Sequence, residues 1–412
     1  MARWESDEAR VDRLVVEFDG ESFEVSDSMA AREHALPLVG VPSRTDAEVT
    51  LFVGDVAVES VAATTGNVPR WVPEFTVTGG LAGPPEGGLT VTSLVAEDGG
   101  GLLIYDASGR VVWSYPPEAE GVWGPFRAQL SLDGQAVLFN TIADDAEAEG
   151  TISRVSLLDG SVTTVGIVGQ HIDFAEYTPG GYAALSWDIR LIGDRRILGD
   201  QIVERSSDGV ERVVWTVWDD FAPDMSVTWP SMYMADPGVE DWSHINGLTY
   251  SAAANAYYVT MTFNDGVARI DRETGDLTWV LSPDGGDFQM EVPGSLSSPH
   301  SVQLLDDGGL LVFNRGQYDR PGNSSFVSEL VLDEQLETAD TRWEYVAEAG
   351  LQVAFLGSAQ RLAGGSTVIS WASAGRLDEV DAEGGLLWRV SSPAGKPFGF
   401  VSRYSGVWKP VE

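Results

Sequence analysis

The chain has four histidines, and three of them head short apolar runs in matching positions. They are His171 in Gln170-His-Ile-Asp-Phe, His244 in Asp241-Trp-Ser-His-Ile-Asn-Gly and His300 in Ser298-Pro-His-Ser-Val. His171 and His300 stand nine and eight residues before a double glycine, Gly180-Gly181 and Gly308-Gly309. A neutral imidazole serves as nucleophile or general base near neutral pH, so a shared location for the three would make a reactive centre. Taken singly, each reads first as a hydrogen-bonded core histidine; three in one register point instead to a site. As a set they could also hold a metal, with Asp173 or Asp188 completing the ligands. His34, near the N-terminus, reads as structural.

Arginines follow two of these runs: Arg190, Arg195 and Arg196 after Trp187-Asp188, and Arg315 and Arg320 after Phe313-Asn314. Arginine's planar fork suits sulfate, phosphate or carboxylate oxygens. Arg315 is assigned to ligand contact, and Arg195, Arg196 and Arg320 to pairing with nearby acids. Two long segments carry aromatic and thioether side chains. Residues 219–243 hold Met225, Trp229, Met232, Tyr233 and Met234, and residues 282–299 hold Phe288 and Met290. Such side chains either seat an apolar or aromatic ligand or pack the loops down.

The elements that would bring these residues together announce themselves by repetition. A turn followed by a tryptophan strand recurs at Asp106–Trp113, Asp208–Trp215, Asp271–Trp279, Asp340–Trp343 and Asp381–Trp388, and the turn returns without tryptophan at Leu157–Val165. An aromatic followed by a small or polar residue recurs at Phe139-Asn140, Trp187-Asp188, Phe263-Asn264, Phe313-Asn314 and Trp371-Ala372. Units of this length with four short strands each predict an all-β, six-bladed β-propeller with blades near 86–118, 122–168, 171–219, 244–284, 300–350 and 353–392. Inner strands then start at one mouth of the ring, which is where the histidines fall. The stretch Phe400–Trp408 is expected to pair with the first blade and remove an open sheet edge. Residues 1–78 read as a small β-sandwich, for example in the alternating Ala47–Val53, and residues 79–412 as the propeller.

There are 63 acidic and 25 basic residues, a formal charge of −38, and the only lysines are Lys396 and Lys409. A surface this negative repels phosphate backbones and anionic lipids, so neither nucleic acid nor membrane insertion is expected. The partner expected is a small aromatic or anionic substrate, and the oligomeric state is left open. With no cysteine there is no thiolate chemistry. Phosphate-loop, Gly-x-Ser-x-Gly and His-Glu-x-x-His motifs do not occur. The first residues lack an apolar leader core, and the expected location is periplasmic or extracellular with the leader already removed; a cytoplasmic place is the alternative.

The ordered set His244-Ile-Asn-Gly-Leu-Thr-Tyr250, Ala268–Trp279, Pro299-His300 with Leu310–Gly316, Ser358–Leu362 and Arg403-Tyr404 resembles the bacterial arylsulfate sulfotransferase family over nearly the whole chain. The resemblance implies a six-bladed periplasmic propeller that moves a sulfuryl group between phenols without a nucleotide cofactor. It implies a nucleophile at His300, sulfuryl-binding roles for His171 and His244, and no cofactor. Asn246 of the His-x-Asn motif, Asn314, Arg190, Trp187, Trp229 and Tyr233 are expected to contact substrate, with Arg315 in the catalytic set. The family pattern has an arginine in the strand after the His244 match, where this chain reads Thr260-Met-Thr-Phe-Asn264, and Arg315 is the expected substitute. The alternatives are a hydrolase or lyase using a histidine base, with or without a metal, and a propeller that binds without catalysing.

Overall fold

The repeated turn joins the third and fourth strands of a sheet, and its residues explain why it recurs. At Asp106, Asp271 and Asp381 the carboxylate caps the turn by accepting backbone N–H groups two to four residues ahead. Gly109, Gly275 and Gly384 follow at φ of 80°, 78° and 83°, a left-handed conformation that glycine adopts without steric cost. The tryptophan then lies in the outer strand, as Trp113, Trp215, Trp279, Trp343 and Trp388 do.

The structure is a computed structural model. It describes residues 1–27, 29–95, 100–116, 124–143, 145–223, 229–230, 238–316, 324–393 and 396–405. Among them, six sheets follow one another along the chain after the N-terminal region. Each has four consecutive antiparallel strands, except that the first takes its innermost strand from the C-terminus. There Phe398–Tyr404 pairs with Leu89–Leu94, so the last strand completes the first sheet. The same strand packs against the inner strands Ser358–Arg361 and Ala128–Leu130 of its two neighbours, closing a ring. The all-β propeller follows from this topology.

The inner strands of the second to sixth sheets are Ala128–Leu130, Gln170–Thr178, Ile245–Ser251, Pro299–Leu304 and Ser358–Arg361. Second strands such as Ala136–Thr141 and Leu310–Asn314 are buried on both faces, which is why the first four residues of each form an unbroken apolar run. Neighbouring sheets pack through apolar clusters; one joins Leu185, Ile202 and Trp215 of the third sheet to Tyr257, Val259 and Ile270 of the fourth.

Ahead of the ring, a two-stranded sheet (Ala2–Arg10 with Ala31–Leu36) packs on a four-stranded one containing Arg13–Phe18, Glu21–Ser26, Asp46–Val53 and Val56–Thr64. Leu14, Val25 and Leu36 fill the space between them. His34 belongs here, stacked on Trp4 at 4.7 Å with Nδ1 2.7 Å from Asp27. Thr76–Gly79 pairs with Leu386–Ser391 as a fifth strand of the last sheet, so residues 76–78 join the ring rather than the N-terminal sheets.

Candidate functional site

The aromatic–asparagine mark has a mechanical role at the mouth of the ring. Asn140 Oδ1 accepts the backbone N–H of Arg127 at 3.0 Å, at the start of its own sheet, and its Nδ2 donates to Ile172 O of the next sheet at 2.9 Å. Asn314 likewise accepts Ser297 N–H at 2.9 Å and donates to Ser328 Oγ at 2.9 Å. Ser328 in turn donates to Ser295 O at 2.6 Å. The segment entering His300 is thereby fastened. Asn314 is fully buried with its amide committed to the protein, so it holds backbone instead of facing substrate as expected.

Asn246 behaves in the same way. It is fully buried, donates to Thr262 Oγ1 and accepts from Thr260 Oγ1 at 3.0 Å. Thr262 also reaches Pro299 O, at 3.2 Å, tying the fourth sheet to the residue before His300. Gly247 next to it must lack a side chain, since a Cβ there would lie 2.7 Å from His300 O. The His-x-Asn-Gly pattern is thus a packing device as well as a source of the histidine.

The three histidines are buried and differ in their partners. His171 stacks on Trp187 with ring centres 4.9 Å apart and planes within 6°, and its Nε2 lies 2.9 Å from Asp200 Oδ1, off the line of a good hydrogen bond. Asp200 Oδ2 accepts Ser243 Oγ–H at 2.5 Å and Ile245 N–H at 2.8 Å, the residues flanking His244. His244 stacks on Phe263 at 4.8 Å and places Nδ1 2.6 Å from Asp241 Oδ2. One carboxylate therefore couples the setting of His171 to that of His244.

No carboxylate pairs with His300 among the described residues, and its buried Nδ1 has no hydrogen-bond partner there. Burial pushes its pKa well below the usual 6.5, helped by the nearby charges of Arg315 and His244, while backbone groups of Gly357 and His300 itself pull the other way. His244 and Arg315 are thus within electrostatic reach of His300. Its ring also lies 5.5 Å from that of Phe400, on the closing strand. Phe400 carries Arg127 on its face, with Cζ 4.2 Å from the ring centre.

Arg127 and Asp173 form a buried pair that ties together the second, third and fourth sheets. Asp173 takes both Nε and Nη2 of Arg127, the latter at 2.8 Å, and accepts Phe174 N–H and Leu248 N–H at 2.8 Å each. That commitment removes Asp173 from the candidate metal set. Asp188 pairs with Arg190 at 3.0 Å and receives Thr216 Oγ–H at 3.3 Å. Among the described residues no group of three His, Asp or Glu side chains is arranged to hold a metal.

The remaining expected contacts divide clearly. Trp187 is 4% exposed and supports His171 from beside it. Arg190 sits on the third sheet's hairpin, exposed and paired with Asp188, with its guanidinium 5.2 Å from the Trp218 ring centre. Arg195 pairs with Glu240. Arg315 donates Nη1 to Ala354 O at 3.2 Å and is partly exposed. Trp229 has backbone placed in a two-residue strand, and its side chain, like Tyr233, Met225, Met232, Met234 and Arg320, lies outside the described residues. Phe288 and Met290 are buried in an apolar cluster with Trp279 and Leu310.

Asp200, Asp241, Arg127 and Phe400 belong to this surrounding without standing out as site residues in the sequence. Asp241 carried a usable signal, three residues before His244. Arg127 was also findable, since it opens its sheet's inner strand where the histidines open theirs.

A family model described as Arylsulfotransferase (ASST) matches residues 86–387. A search of curated proteins finds no match. Among solved structures, a Bacteroides caccae protein of unknown function is similar at 14% identity and a TM-score of 0.46, covering 77% of this chain and 99% of its own. The Pseudomonas aeruginosa periplasmic gluconolactonase PpgL gives 12% identity and 0.45 over 76% and 99%. A streptogramin B lyase gives 13% and 0.41 over 80% and 98%.

Proposed function

Since this chain belongs to the arylsulfotransferase family, we propose that it transfers a sulfuryl group from an aryl sulfate to a phenolic acceptor through a covalent intermediate on His300. The observation that carries this reading is the unequal environment of three neighbouring histidines. Burial and the nearby Arg315 favour a neutral His300, whose Nδ1 has no hydrogen-bond partner among the described residues. His171 and His244 each face a carboxylate, and each ring can donate an N–H to sulfuryl oxygens.

In the first step His300 forms an N–S bond as the S–O bond to the donor breaks, and the electron pair leaves with the aryl oxide. In the second step the acceptor's phenolic oxygen attacks sulfur and gives up its proton to solvent, from which the departed aryl oxide takes one; the N–S bond breaks, and its pair returns to the imidazole. Arg315, within reach of His300, supplies the fixed cation for the oxygens of the transferring group. This matters because Thr262 occupies the stretch where the family has its arginine, and its hydroxyl is held between Asn246 and Pro299. The reading needs no nucleotide or metal, and we place the protein in the periplasm or outside the cell.

The test is turnover of a chromogenic aryl sulfate with and without phenol. Phenol-dependent release that vanishes in His300→Ala supports the reading, and full activity in that variant rejects it. A second reading, ligand binding without turnover, is favoured by the lack of an arginine in the stretch Thr260–Asn264. Tight binding of an aryl sulfate with no release under any acceptor would select it.

A further inference from the structure

Beside the histidines, on the same face of the ring, the fourth sheet carries a cleft of about 300 Å³ that none of the proposed catalytic residues lines. Phe221, Met261 and Phe263 form apolar walls, and Asp265, Ser282 and Asp284 bring polar groups to it. Phe263 separates the two places. Its ring stacks on His244 at 4.8 Å, yet it is 37% exposed and lines the cleft.

The electrostatics of the cleft call for a positive charge. The Asp265 carboxylate receives one described hydrogen bond, from Ser298 N–H two residues before His300. Burial pushes its pKa up and Asp284 adds to the rise, while Ser298 N–H and Arg315 oppose it. Two carboxylates against aromatic walls make a setting in which an ammonium group gains from both ion pairing and the ring faces. An anion or an uncharged alkyl tail gains neither.

On the sulfuryl-transfer reading, we propose that this cleft is a recognition subsite for the far end of the acceptor and takes an ammonium group borne on an aromatic ring. The acceptors favoured are therefore phenolic amines, whose hydroxyl points toward His300 while the amine lies between Asp265 and Asp284. Phe221 and Phe263 cover the carbon chain between them. The donor, an anion, is held by the histidines and Arg315 instead, so the two substrates are sorted by charge.

The test uses the full chain with His300→Ala, so that binding is read without turnover. Calorimetric titration compares 4-(2-aminoethyl)phenol, 4-ethylphenol and 4-hydroxyphenylacetate, which share a ring and differ in tail charge. The amine is expected to bind about tenfold or more tightly than the ethyl compound, and the acid more weakly than both. Asp284→Asn and Phe221→Ala each should cut that preference several-fold, and Asp265→Asn with Asp284→Asn should abolish it. The double change moves the formal charge only from −38 to −36, so attraction to the whole acidic surface would survive it. Equal binding of the three probes, or a preference that persists in the double variant, overturns the proposal. In the unaltered protein, transfer to simple phenols without an amine preference overturns the cleft alone. Amine-selective binding with no transfer to any phenol overturns the acceptor role together with the reading beneath it.

Discussion

Replacing Asp173 by alanine should be among the most damaging single changes in the ring. Its carboxylate is fully buried and serves four donors: two on Arg127, plus Phe174 N–H and Leu248 N–H. These come from the second, third and fourth sheets. The change leaves a largely buried guanidinium unpaired and two backbone donors unsatisfied. Breaking one side of a buried ion pair costs about 3–5 kcal/mol, and each orphaned donor adds roughly 1 kcal/mol or more. In a chain this long the lower figure alone shifts the melting midpoint by roughly 3–4 °C. Urea unfolding followed by tryptophan fluorescence reads the loss as a lower midpoint at unchanged slope. Arg127→Met with Asp173→Leu should recover most of the ion-pair part, because apolar groups of similar volume need no partners. A loss below about 1 kcal/mol in Asp173→Ala, or a double variant no better than the single, would refute the view that this pair anchors the inner strands that carry the histidines.

Other outcomes follow from the same geometry. Asp241→Asn should lower turnover roughly 10–100-fold with little change in melting, because the hydrogen bond that fixes the His244 ring is altered, as kcat at saturating donor would show. Arg315→Gln should lower turnover by about 10²–10³-fold if this arginine steadies the sulfuryl oxygens. His300 has a folded pKa depressed below its unfolded value of about 6.5, so the unfolded chain binds the extra proton first. Its contribution to stability is thus present above pH 6.5 and lost as pH falls below it. His300→Phe should flatten that part of the stability–pH curve. Deleting the closing strand Phe398–Tyr404 strips the first sheet of its inner strand and should abolish cooperative unfolding, measured by calorimetry.

Much of the architecture could be read in advance because it is written in local chemistry. Asp-capped glycine turns and outer-strand tryptophans recur with the sheets, and the aromatic–asparagine mark recurs where asparagine fastens the mouth. The histidines were legible for the same reason, as each begins an inner strand. What escaped depends on contacts between distant segments. Asp200 lies in the third strand of its sheet, and only sheet pairing brings it to His171 and Ile245. Phe400 reaches His300 only through ring closure by the last strand. Asn246 and Asn314 look like ligand-binding amides in sequence, because polarity is visible there and burial is not. Thr76–Gly79 seemed to end the first region, since pairing as a fifth strand leaves no local trace.

Two-step transfer requires a sulfuryl group to rest on one imidazole. Brief incubation with an aryl sulfate in the absence of acceptor, rapid quenching at alkaline pH and peptide mass mapping would reveal it directly. The predicted result is the mass gain of one sulfuryl group on the peptide containing His300, lost when a phenol is added and absent in His300→Ala. A modified peptide containing His171 or His244 in its place, or transfer to phenol with no adduct at any time, would contradict it.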